Sequence, residues 1–145
     1  MIRNILNWIR SIFKPKPVPP KPTGDFVTDL LNLHNSHRRS LGLNPLKLNH
    51  LLVKAAQNHS DWMDQHGKLD HNEGVVDLGD RLIKVGYNWS LCGENIAMGY
   101  NTPNAVFAGW LRSTGHRQNI EETSYVEVGF GFTGTYWTAD FATHR

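Results

Sequence analysis

The chain has 145 residues, enough for one domain with a modest core, and its 39% apolar content is that of an ordinary soluble globular protein. Its formal charge of +2 hides a split: residues 1–24 carry Arg3, Arg10, Lys14, Lys16 and Lys21 and no acid, so the remainder is acidic and lacks the basic footprint of a nucleic-acid binder. Cys92 is the only cysteine, which excludes an intrachain disulfide, and no apolar run reaches the ~20 residues needed to cross a bilayer.

In chain order, residues 1–14 come first. Ile2, Ile5, Leu6, Ile9, Ile12 and Phe13 recur at helical spacing, with Arg3, Asn7 and Arg10 elsewhere on the wheel. Arg3, Asn4, Asn7 and Arg10 break up the apolar stretch, and no small-residue cleavage site follows, so it does not read as a cleavable signal peptide. A basic amphipathic helix of this kind is expected to lie in a membrane interface, with Trp8 near the headgroups, or to dock on a protein partner. Residues 15–24 hold five of the seven prolines and predict an extended, semi-rigid linker. The domain proper is expected to span 25–145.

Phe26, Val27, Leu30, Leu31, His34 and His37 mark a first helix that stops near Gly42. Asn44-Pro45 imposes extended backbone. Asn49 is then a cap for a second helix, whose stripe of Leu51, Leu52, Ala55, Ala56, His59, Trp62 and Met63 ends at Gly67. A third helix is read over Asp80–Val85, closed by Gly86, and Thr102-Pro103 opens a fourth that runs to about Ser113. Val126, Val128, Phe130 and Phe132, then Trp137, Ala139 and Phe141, alternate with polar or small residues around Gly134, the pattern of an antiparallel hairpin. Helices first and paired strands last predict an α+β domain.

Among the eight histidines, His59 and His66 fall at buried or half-buried helix positions, and His34 and His37 lie on the first helix where packing explains them. His71 and His116 differ. Both sit in polar, glycine-containing stretches (LDHNEG and STGHRQNI) read as loops beyond helices, where side chains converge on clefts. Glu94, in CGENIAMG, is an acid in an apolar stretch read as an inner strand, and an acid there needs a partner. Two imidazoles and a carboxylate serve either to hold a divalent metal or to form an acid/base set. Cys92 and Ser113 read as a packed thiol and a helix-end residue, since neither stands in a recognisable nucleophile pattern.

Taken together, these phrases resemble the CAP superfamily (cysteine-rich secretory, antigen 5 and pathogenesis-related proteins), in its disulfide-free bacterial SCP-domain branch. The matching phrases are His34-Asn35-x-x-Arg38, Asn44-Pro45-Leu46 before Ala55-Ala56, His71, Asp80-Arg81, Gly86-Tyr87, Gly93-Glu94-Asn95-Ile96-Ala97, Trp110-x-x-Ser113-x-Gly115-His116-Arg117-x-Asn119-Ile120, and Tyr136-Trp137 through Phe141, in that order. The resemblance implies a three-layer α-β-α sandwich with a small antiparallel sheet and an open cleft lined by two histidines and two acids. Position by position, the histidines are His71 and His116, which would hold zinc or another divalent metal, and one acid is Glu94, which would orient one ring. The family's second acid falls on Ser113, so the tetrad is incomplete unless Glu73 substitutes. Cys92 matches a position that is disulfide-bonded in some members.

Three functions follow as expectations. The first is a binding module taking a lipid, peptide or cell-envelope component. The second is a metal-assisted hydrolase of peptide or cell-wall material with Glu94, His71 and His116 as its catalytic set. The third is a virion or surface-assembly component. The expected location is extracellular or at the cell envelope, tethered to a membrane or a partner through residues 1–14.

Overall fold

The structure, a computed structural model, describes residues 25–145, so the expected amphipathic segment 1–14 and the proline-rich linker 15–24 lie outside the described residues. Helix α1 (Phe26–Ser40) starts where the Asp25 carboxylate accepts the Thr28 N–H. Its buried Asn35 accepts the Leu46 N–H at 2.8 Å and donates to the Leu46 carbonyl at 3.0 Å, which fixes the Asn44-Pro45-Leu46 turn against it. Buried Arg38 donates to the carbonyls of Asn44, Ile120 and Glu122 at 2.8–2.9 Å. The His-Asn-x-x-Arg phrase is thus a clamp between α1 and two distant loops.

Strand β1 (Lys47–Leu48) leads into α2 (His50–His66), capped by the Asn49 side chain and ended by Gly67 at φ 59°, a left-handed conformation that favours glycine. Asp77 and Asp80 form a reciprocal capping box for α3 (Leu78–Lys84). Strand β2 (Trp89–Met98) follows, then α4 (Pro103–Arg112) behind the Thr102 cap, α5 (Thr114–Glu121), and the hairpin of β3 (Glu127–Thr133) and β4 (Tyr136–His144).

The sheet order is β1-β3-β4-β2. β3–β4 and β4–β2 are antiparallel, but β1 pairs with β3 in parallel, so the expected antiparallel sheet is mixed. Two residues are too few to show alternation, which is why β1 left no sequence signal. One face of the sheet, with Val128, Phe130, Trp137, Ala139 and Phe141, packs on Leu30 of α1, Val106 and Trp110 of α4 and Ile120 of α5. On the other face Leu52 and Ala55 of α2 and Leu82 of α3 cover Ala142. This is the three-layer α-β-α sandwich. The glycines that alternate with apolar residues in β3 let α2 ride directly on the strand: a Cβ at Gly129 or Gly131 would run into the backbone of Leu52 or Ala56.

The strand carrying Glu94 is an edge strand, not the inner strand expected. Three of its carbonyls are taken by side chains: Asn119 Nδ2 donates to Glu94 O, Trp110 Nε1 to Ile96 O and Arg145 Nε to Trp89 O, at 3.0–3.2 Å. Those contacts blunt the edge against addition of a further strand. None of the described helices is long and apolar enough to cross a membrane.

Candidate functional site

Because β2 lies at the sheet's edge, groups from both helical layers can reach round it. Cys92, Glu94 and Ile96 alternate toward the α2/α3 layer, and Gly93 and Asn95 toward the α4/α5 layer. His71 stands on the loop after α2, as expected. His116 does not lie in a loop but in α5, a short helix that buries only Ile120 and so shows no apolar stripe in sequence. Its placement comes from the backbone: Asn95 Nδ2 donates to the His116 carbonyl at 2.9 Å, and Asn119 Nδ2 donates to Asn95 Oδ1 at 2.9 Å.

Glu94 is the hub. Its side chain is 2% exposed, whereas that of His71 is 55% exposed, and His71 Nδ1 donates to Glu94 Oε1 at 2.9 Å. Arg81 Nη2 donates to Glu94 Oε2 at 2.7 Å and to the His71 carbonyl at 3.0 Å, so one guanidinium nitrogen of α3 fixes both residues. Fully buried His59 on α2 bonds Glu73 Oε1 through Nδ1 at 2.9 Å and the Asp70 carbonyl through Nε2 at 2.8 Å. It therefore pins the loop on either side of His71. Glu73 is engaged by this contact.

Burial alone would push the Glu94 carboxyl up, but the hydrogen bond from His71 and the charge of Arg81, with its neighbour Asp140, outweigh it and hold the group at about 2. Glu94 is a carboxylate at every physiological pH. Its bond raises the His71 imidazole above the ordinary 6.5, against an opposing push from partial burial. His116 moves the other way, lowered first by burial and then by the charge of nearby His71. His71 thus leans toward the cation and His116 toward the neutral imidazole.

An open pocket of about 410 Å³ lies against this hub, with His71, Asn72, Asp77 and Glu94 on its polar side and Leu78, Trp89 and Cys92 among its apolar walls. His116 stands outside that lining. Burial pushes the Cys92 thiol up to about 11, which keeps it protonated and removes support for a nucleophile. Ser113 is exposed, and its side chain makes no capping bond to α5.

For a divalent metal the donor set is partial. With Nδ1 of His71 on Glu94, its Nε2 is left to face outward, the carboxylate–imidazole arrangement that orients metal-binding histidines. No cluster of three or more His, Cys, Asp or Glu side chains able to hold a metal stands among the described residues. A closed structural site is not built by the described residues.

Residue reading found His71, His116 and Glu94 but gave no role to the groups that hold them: His59, Arg81 and Asp140. The available signal was the polar ring of His59 within the apolar stripe of the second helix; Asp140 falls at a strand position that reads as solvent-facing.

Residues 31–141 match the family model described as CAP, the cysteine-rich secretory protein family. The uncharacterized protein YkwD of Bacillus subtilis (strain 168) is 31% identical over 125 residues, covering 84% of this chain and 49% of its own length. An uncharacterized membrane protein of the same organism, YlbC, is 30% identical over 136 residues, which is 90% of this chain and 39% of YlbC. The chain therefore spans half or less of the length of these curated relatives. Among solved structures, an extracellular protein containing a SCP domain from Bacillus anthracis superposes with a TM-score of 0.79 at 28% identity, over 83% of this chain and 40% of that one. An outer surface protein of Borrelia burgdorferi superposes at 0.80 over 86% of this chain and 96% of its own; at 21% identity it shows the fold alone.

Proposed function

Because the chain belongs to the cysteine-rich secretory protein (CAP) family, we propose that its domain is an extracellular binding module that takes a lipid, peptide or cell-envelope component into the cleft beside His71 and His116. The observation that carries this reading is the open His71 ring held by buried Glu94 at the mouth of a pocket with apolar walls. A fixed polar group beside apolar surface is the chemistry of ligand recognition. The extracellular placement is supported by the similarity to the extracellular Bacillus anthracis protein. Residues 1–14 would then tether the domain to a membrane surface or a protein assembly, a virion included, with 15–24 as spacer.

The hydrolase reading uses Glu94 as general base. A carboxyl held at about 2 is a feeble base at neutral pH, and the family's other acid position holds Ser113, so binding is the better supported class. Any zinc would sit on His71 and His116, with Glu94 orienting the His71 ring, and would add a Lewis acid to the cleft. Because the proton on His71 competes with such an ion, affinity should fall as pH drops below the raised His71 midpoint.

One experiment tests the reading: incubate the full chain with purified peptidoglycan and with casein, measuring retention and fragment release, with zinc or with chelator. The proposal expects retention that drops in His71→Ala and His116→Ala, with no fragments released. Calorimetric zinc titration of the same proteins should show binding lost in both alanine variants and weakened about 10–100-fold in Glu94→Gln. Fragment release by the wild type but not by Glu94→Gln would replace binding with hydrolysis, and zinc affinity unchanged across the variants would remove the metal.

A further inference from the structure

Behind Glu94 lies a second carboxyl group. Asp140 of β4 is directly opposite Glu94 of β2 in the strand register, so the two side chains leave the same face of the sheet at adjacent positions. Asp140 is 0% exposed, the one fully buried aspartate among the described residues. Neither of its carboxyl oxygens receives an N–H or hydroxyl from any described residue. The nearest cation, Arg81, holds Nη1 3.9 Å from Asp140 Oδ2, beyond hydrogen-bond distance, while Nη2 is committed to Glu94 and the His71 carbonyl. His59, facing the cluster from α2, lies 3.8 Å from Glu94 and is bonded to Glu73.

A buried carboxylate without a donor is among the least tolerable groups in a protein interior. Two carboxyl groups side by side around one guanidinium do not both ionise. Glu94 receives His71 and Arg81 and is the carboxylate of the pair. Asp140 has no donor among the described residues, and the strand register sets its side chain beside that of Glu94.

We propose that Asp140 is a positioning residue of the cleft: a neutral carboxylic acid whose O–H donates to Glu94 and fixes the carboxylate that orients His71. The last strand thereby supplies a buried second carboxyl group behind the one that faces the cleft. Burial and the adjacent charge of Glu94 both push the Asp140 carboxyl well above its ordinary range, with Arg81 opposing them only in part. The assignment stands apart from what the cleft binds.

Infrared spectroscopy of the full chain labelled with carboxyl-13C aspartate tests this. The expected result at pH 7 is an isotope-shifted C=O stretch of a protonated carboxyl group in the wild type, lost in Asp140→Asn. The Asp140→Asn change replaces the O–H donor with an amide N–H, so that variant should leave the His71 titration midpoint in place, whereas Asp140→Leu, with no donor, should displace it. Absence of the band in the wild type, or its persistence in Asp140→Asn, would overturn the assignment. So would an Asp140→Asn variant whose His71 midpoint moves as far as that of Asp140→Leu. Should the variants fail to fold, the wild-type band decides alone, because the other described aspartates all reach solvent.

Discussion

Replacing Arg81 by methionine is expected to lower the unfolding free energy at pH 7 by about 3–5 kcal/mol, the penalty for stranding a buried charge. The side chains of Arg81 and Glu94 are 5% and 2% exposed, so water screens little of their 2.7 Å contact. The loss would be a large fraction of the roughly 5–15 kcal/mol that holds a domain of this size together. Removal of the guanidinium also frees the His71 carbonyl, so the loop carrying the ring loses one of its anchors. Arg81→Met/Glu94→Gln should recover much of the stability, since it removes the charge that the single change leaves unpaired. Urea unfolding of the wild type and both variants checks this. A single variant within about 1 kcal/mol of wild type would show that Glu94 does not depend on Arg81.

The second large effect is an acid-driven loss of stability set by His34. This ring is fully buried among Phe107, Trp110, Phe130 and Phe141, with centroids 4.8–6.1 Å away. Nδ1 donates to the Leu30 carbonyl at 2.7 Å and Nε2 has no partner among the described residues. Burial lowers the imidazole from 6.5 to about 4, with the bond to Leu30 opposing. The unfolded chain therefore takes up this proton before the folded one does. Stability from His34 is fully present above the unfolded value near 6.5 and is lost as pH falls toward the folded value near 4, by about 3 kcal/mol in all. His34→Leu, apolar and similar in size, should change stability at pH 7 by less than about 1.5 kcal/mol yet flatten the decline between pH 6.5 and 4. Chemical denaturation across that range decides it, and identical slopes in both proteins would contradict the assignment.

Much of the architecture could be read from local chemistry. Asn49, Gly67 and Thr102-Pro103 mark helix ends because capping and backbone conformation are properties of single residues. The Val-Gly-Phe-Gly-Phe run announced a strand, and the structure adds why glycine stands there, since α2 lies against its Cα atoms. What escaped was set by partners distant in sequence. Asp140 alternates with Trp137, Ala139 and Phe141 and reads as solvent-facing, but β4 is an inner strand buried on both faces. Its polar side is accordingly a buried cluster, in which Thr138 meets Ser60 at 2.8 Å and Asp140 stands opposite Glu94. His59 fits an apolar helix stripe, and only the fold shows it gripping the loop that carries His71. His71 and His116 stood out from the other histidines through their polar, glycine-containing surroundings, but it was the family resemblance that joined them to Glu94 in one cleft.

One buried carboxylate, Glu94, holds the exposed His71 ring and favours its protonated form, while burial and the charge of His71 lower His116. NMR titration of the histidine rings, in wild type and in Glu94→Gln, addresses this most directly. In the wild type His71 should titrate above 6.5 and His116 below it. In Glu94→Gln the His71 midpoint should fall. A His71 midpoint that is the same in both proteins would contradict the account.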